Sequence, residues 1–347
     1  AGEYALHILA QDGKGDPKKI SLGDQPSIYQ TPRWSPDSKK IAYVDVHLAL
    51  WYVDLESGLP VKVAKNRFYG RLGDLAAVWS PDSKWLTYVT RLRNYMGAIQ
   101  VYSLADGTST QVTDGLSDAR DPVWDKGGKY LYFTASTDSG SSLQPDIHSL
   151  SRTRTGSAYL IVLSKDEPSP LAPESDEEKP AEEKKTDEKK PEAPKTEGAD
   201  PEGAKPAGKE KKPPEVKIDF ENILQRVLAL PMPARQYVAL QAGKAGTLLA
   251  LESPPSAPGT SGVGLTVHRF DLKQRRADAP LNGLGFFRIA ENGEKMLYSQ
   301  GQGEALKWMI GALKPLPPRD APAPAPPPAG AGGAKPLKTS DLEVKIN

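Results

Sequence analysis

Hydrolysis by serine, histidine and acidic side chains needs a nucleophile, a base and an orienting group within hydrogen-bond reach of one another. This chain has the residue types without the spacing. Gly259-Thr260-Ser261-Gly262-Val263 comes near the elbow that presents a nucleophilic serine, but it lies in a Pro/Ser/Gly-rich stretch and lacks the final glycine. Neither a phosphate-cradling glycine loop nor a dinucleotide fingerprint occurs. The four histidines, His7, His47, His148 and His268, stand far apart, and there is no cysteine. Paired-histidine and thiolate metal patterns are therefore missing. No catalytic, cofactor-binding or metal-binding residue is assigned.

One group of charged residues could still meet a ligand. Asp45, His47, Arg91, Arg93 and Asp138 follow three similar strands, KKIAYVDV, KWLTYVTR and KYLYFTAS, at the point where the chain turns. Such turns can rim a central channel and face a peptide or a partner domain. The plainer reading is an ordinary solvated rim.

The elements that would position these residues come from a repeat. TPRWSPD (31–37), AAVWSPD (76–82) and DPVWDKG (121–127) place Trp34, Trp79 and Trp124 at intervals of 45 residues. A fourth copy, FFRIAENGEKMLYSQ from Phe286, puts Ile289 at the tryptophan position. Ser35-Pro36-Asp37-Ser38 suits a type I turn, since proline sets φ at the second position and Ser or Asp bonds the local backbone. A β-branched and aromatic strand follows, then a third strand, a glycine turn and a short fourth strand. Four strands in about 40–45 residues make a propeller blade. The three tryptophans are expected to be buried alike between blades, as are Tyr43, Tyr88 and Phe133.

The expected fold is all-β, a β-propeller of four-stranded blades. About five and a half blades are present, part of a seven-bladed ring whose remaining one and a half blades are expected upstream of Ala1. Residues 1–165 hold the first blades, beginning with a partial one, and residues 217–313 hold the others. Between them, 166–216 reads as a disordered charged insertion. Residues 174–215 alone carry 14 acidic and 10 basic side chains with no aromatic, Leu, Ile or Val, too little apolar surface to offset chain entropy. Nine prolines in 314–336 mark a linker, and 337–347 an exit strand toward further domains.

The net charge of +1 over 347 residues gives no electrostatic reason to expect nucleic acid or an anionic membrane. No apolar run approaches the roughly 20 residues of a membrane helix.

TPRWSPDSKKIAYVDVHLALWYVDLESG (31–58), VWSPDSKWLTYVT (78–90), VYSLADGTSTQVTDGLSDARDPVWDKGGKYLYFTAST (101–137) and LPMPARQYVALQAGKAG (230–246) resemble the second propeller of bacterial tricorn-like peptidases. The charged interruption and the closing KTSDLEVKIN fit the same resemblance. It implies a cytoplasmic multidomain serine peptidase in which this propeller is a non-catalytic channel and scaffold. Its partners would be peptides and the peptidase's own PDZ and catalytic domains, with a homo-oligomer allowed. Periplasmic or secreted placement stays open. Two other readings remain: a stand-alone TolB-like propeller that binds a partner protein, and the propeller of a prolyl-oligopeptidase-like enzyme.

Overall fold

The computed structural model describes residues 5–22, 27–67, 75–137, 155–173, 213–253, 264–301, 303–313 and 335–336. These form antiparallel sheets with two short 3-10 turns, and the described residues contain no α-helix.

Strands β1 (Ala5–Ile8) and β2 (Lys18–Ser21) pair as a two-stranded half-blade, blade 1. Blade 2 contains β3 (Tyr29–Trp34), β4 (Lys40–Asp45), β5 (Ala49–Asp54) and β6 (Pro60–Lys65). Blade 3 contains β7 (Val78–Trp79), β8 (Trp85–Arg91), β9 (Gly97–Ser103) and β10 (Thr108–Gln111). Blade 4 contains β11 (Asp118–Trp124), β12 (Tyr130–Ser136), β13 (Ser157–Val162) and β14 (Val227–Ala229). The last seven strands share one sheet: β15 (Tyr237–Ala242), β16 (Thr247–Glu252), β17 (Leu265–Asp271), β18 (Arg276–Ile289), β19 (Lys295–Gln300), β20 (Lys307–Ala312) and β21 (Lys335–Pro336).

That sheet is two blades with a common strand. The first part of β18 pairs with β17, and its last part, Phe286 to Ile289, pairs with β19. Leu284 is the pivot, opposite Leu265 on one side and Gln300 on the other. Blade 5 thus ends, and blade 6 begins, inside one 14-residue strand. The tally of five and a half blades agrees with the repeat.

The repeated turn makes each hairpin and ties it to the next. In blade 2 the Ser38 N–H donates to Ser35 O at 2.8 Å, and Ser38 then takes φ 58°. This is a type I turn followed by a left-handed residue, in a four-residue hairpin loop from Pro36 to Lys39. Ser83, Gly128 and Gly293 repeat that conformation. The Asp37 N–H donates to Ser83 Oγ of blade 3 at 3.0 Å. The Gly246 N–H of blade 5 donates to Asp125 Oδ1 of blade 4 at 2.7 Å. In four blades the innermost strand carries a register shift, at Gln30/Arg33, Arg120/Val123, Tyr237/Ala239 and Leu284/Phe286. Such bulges bend and twist a strand.

The core is divided into slabs between neighbouring blades rather than gathered at one centre. Leu50, Leu75, Leu86 and Tyr88 fill the slab between blades 2 and 3, and Ile99, Trp124, Leu131 and Phe133 the next. Tyr43, Tyr88 and Phe133 are all buried, as the repeat implies. The tryptophans are not alike. Trp79 and Trp124 are 7% and 3% exposed, but Trp34 is 50% exposed. The reason lies in the neighbour. Blade 1 packs its two strands against Ile41, Tyr43 and Val53, and no inner strand of that blade is described to cover Trp34.

The insertion is narrower in the structure than the 166–216 span that composition suggests. Glu167 pairs with Lys129 at 2.7 Å, and Leu171 packs against the slab between blades 4 and 5. Val216 is buried, and its N–H donates to Asp82 Oδ2 at 3.0 Å. Arg226 then fastens the returning chain, donating to Val162 O at 2.9 Å and Glu221 O at 3.0 Å. At the other boundary, Lys335 and Pro336 pair with β20 and so belong to blade 6 rather than to the linker. Residues 174–212, 314–334 and 337–347 lie outside the described residues.

Candidate functional site

The innermost strands β3, β7, β11, β15 and the end of β18 line an open cavity of about 790 Å³. Their register superposes one position from each blade. Arg33 lies opposite Ala42, Val78 opposite Thr87, Val123 opposite Tyr132, Gln241 opposite Leu249, and Arg288 opposite Leu297. All five line the cavity, as a ring reading Arg, Val, Val, Gln, Arg.

The polar groups of the wall differ in how far they are already engaged. Gln241 is occupied: its Nε2 donates to Phe287 O at 3.2 Å and its Oε1 accepts from the Ile289 N–H at 2.9 Å, which joins blades 5 and 6. Arg120 is buried and donates through Nε and Nη2 to Asp118 Oδ2, at 3.1 and 2.6 Å. Asp118 also accepts the Gly97 N–H at 2.8 Å. Lys126 of blade 4 pairs with Glu291 of blade 6, reaching past blade 5. Asp121 accepts from Thr134 Oγ1 at 3.1 Å. Arg33 and Arg288 are different. Both are exposed, and neither guanidinium has a hydrogen bond or ion pair among the described residues. Burial of its surroundings, and then the charge of Arg288, hold the Arg33 pKa below its ordinary value.

The rim residues singled out from sequence lie elsewhere. Asp45 is taken up by its own hairpin: Oδ1 accepts the His47 and Ala49 N–H groups, both at 2.9 Å, and Oδ2 accepts the Trp51 indole N–H at 2.9 Å. His47 is exposed on that turn. Arg91 is buried at 5% exposure and donates to Tyr95 O at 2.8 Å. Arg93 is exposed beside it. None of these four is among the residues lining the cavity. Asp138 lies outside the described residues.

Elsewhere, His268 meets Glu252 at 2.6 Å, and Arg235 meets the same carboxylate at 3.2 Å. Tyr237 sits edge-on to the imidazole, with its pKa pushed up to about 12, mainly by burial. This cluster holds blade 5 together near the point where Arg235 bridges Gly156 of blade 4. Among the described residues, no three His, Cys, Asp or Glu side chains are grouped to hold a metal. The described helices include none long and apolar enough to cross a membrane.

The family profile of the tricorn protease second beta propeller domain matches residues 1–307. The chain belongs to the tricorn second-propeller family. A tricorn protease homolog 1 from Streptomyces coelicolor is 23% identical over 291 residues, covering 82% of this chain and 24% of that protein. A tricorn protease homolog from Saccharolobus solfataricus is 28% identical over 163 residues, covering 46% of this chain and 14% of that protein. The crystal structure of the tricorn protease superposes with a TM-score of 0.61 at 17% identity, over 89% of this chain and 27% of that one. This tricorn second propeller thus spans about a quarter of the length of the Streptomyces relative and of the solved structure.

Proposed function

We propose that this propeller is the non-catalytic channel and scaffold of a tricorn-like serine peptidase, admitting peptides along its axis to a catalytic core carried elsewhere in the protein. The supporting observation is the cavity of about 790 Å³ walled by one inner strand from each of five blades. A peptide fits such a space through its backbone and side chains without any reaction there. The wall mixes indole and valine surfaces with a few fixed charges, as ligand clefts do. Within that reading the partners are peptides and the PDZ and catalytic domains of the same peptidase, with self-association of the whole protein, in the cytoplasm.

The test is direct binding. A fluorescein-labelled decapeptide titrated with the 347-residue chain should give a saturable anisotropy change, and chromatography should show the peptide intact afterwards. Val78→Trp, which fills part of the cavity, should abolish the change while leaving the melting temperature within a few degrees. Absence of saturable binding, or binding that ignores Val78→Trp, would remove the channel reading.

A further inference from the structure

We infer that Arg33 and Arg288 form a carboxylate-binding subsite inside the cavity, so that the channel selects peptides by their anionic groups. The inference rests on the reading that peptides enter this space and names the chemistry the channel favours.

Three observations carry it. The first is placement: Arg33 and Arg288 occupy the same position of the repeat in blades 2 and 6, one residue before Trp34 and Ile289, and both line the cavity. The second is engagement. Of the wall's other charges, Arg120 is paired with Asp118 and Lys126 with Glu291, while the Asp121 carboxylate accepts from the Thr134 hydroxyl. The guanidinium groups of Arg33 and Arg288 make no hydrogen bond or ion pair with the described residues. The third is surroundings. Val78, Val123 and the exposed Trp34 share the lining, and apolar walls concentrate the field of fixed charges. Burial first, and the charge of Arg288 second, hold the Arg33 pKa below its ordinary value, and an anion between the two guanidiniums offsets the second of these.

Guanidinium is suited to this ligand. Its planar fork matches the two oxygens of a carboxylate, and charge-assisted pairs of that kind are about twice as strong as neutral hydrogen bonds. The carboxylate could be a peptide's C-terminus or an Asp or Glu side chain.

The experiment compares three peptides of one sequence on the intact 347-residue chain by calorimetry: the free C-terminal acid, the C-terminal amide, and the amide with one Gln replaced by Glu. The free acid is expected to bind about tenfold tighter than the neutral amide. If the Glu-containing amide gains as much, the site takes a carboxylate of either origin. If it gains nothing, the site is assigned to the C-terminus. Arg33→Gln and Arg288→Gln should each shrink the preference, and the double variant should remove it. Arg33→Lys should restore part of it at low salt. Acid and amide binding alike, or a preference that survives in the double variant, overturns this inference and leaves the channel standing. If none of the three peptides binds, the channel reading itself fails. Both arginines are exposed, so the variants are expected to fold, and a melting curve checks that.

Discussion

The indole N–H of Trp124 donates to the carbonyl oxygen of Val78, 3.1 Å away and one blade earlier. Trp79 does the same to Arg33, at 3.0 Å. In each case a large aromatic ring closes an inter-blade slab, and its one polar atom is satisfied by the inner strand it covers. The carbonyl it takes belongs to the residue just before the previous tryptophan. The motif therefore measures the distance from one blade to the next as well as the start of a hairpin.

From this the tryptophans should separate into two classes. Trp79→Ala and Trp124→Ala are expected to cost about 3–5 kcal/mol each in urea unfolding. Trp34→Ala, half exposed at the cavity, should stay within about 0.5 kcal/mol of the parent. Three equal losses would refute the inter-blade account.

Asp125 offers a test by pH. It is buried, and burial, outweighing the N–H groups of Gly246 and Gly127, raises its carboxyl above the ordinary range. The unfolded carboxyl titrates near about 3.9. Above that value the native state still holds a proton that the unfolded chain has released, so this group's contribution to stability falls as pH rises toward its native pKa. Asp125→Asn carries no such charge. The stability difference, parent minus variant, should therefore decline from about pH 4 upward and then level off. A difference that climbs over that range would show that the hydrogen bonds outweigh burial.

Gly264 and Gly58 both have positive φ, +95° and +69°. A methyl group on Gly58 would meet nothing within 4 Å, whereas on Gly264 it would lie 2.5 Å from the Gly283 Cα. Gly58→Ala should cost only the left-handed penalty, about 1–2 kcal/mol. Gly264→Ala adds a backbone clash where blades 5 and 6 meet, and about 2–4 kcal/mol in all is expected. Calorimetric melting of the two variants decides it, and similar losses would mean that Gly283 gives way easily.

Deleting residues 175–210 should change stability by under about 1 kcal/mol, since loop-closure cost varies slowly with length. Carrying the deletion through Val216 should cost more, because Val216 is buried and bonded to Asp82. Equal melting points for the two deletions would show that the Val216 contact adds nothing.

Much of the fold was legible because the turn chemistry recurs: Ser-Pro-Asp or Asp-Lys-Gly after each tryptophan dictates a hairpin, and a hairpin fixes strand order. Burial was less legible, because the environment of Trp34 depends on the neighbouring blade and not on its own repeat. The rim reading of Asp45 rested on its place at a turn, and the sequence did not show that its half-buried carboxylate serves three N–H groups of its own hairpin. Arg33 and Arg288 were visible in TPRW and FFRI, one residue ahead of the tryptophan position. Nothing distinguished them until strand register brought five blades to one level. The common strand of blades 5 and 6 was not legible, because Pro280 and Gly283 are residue types that interrupt strands and yet lie within β18.

That strand has a mechanical consequence. Blades 2, 3 and 4 are separate sheets, touching neighbours through side chains, turns and, between blades 4 and 5, the single Gly156–Arg235 bridge, so under tension each can yield by itself. Blades 5 and 6 are sewn along one backbone that pivots at Leu284, with ladders on both flanks. Pulled from its ends, the chain should lengthen in single-blade steps until this pair gives way, and the pair should release its length in one larger step.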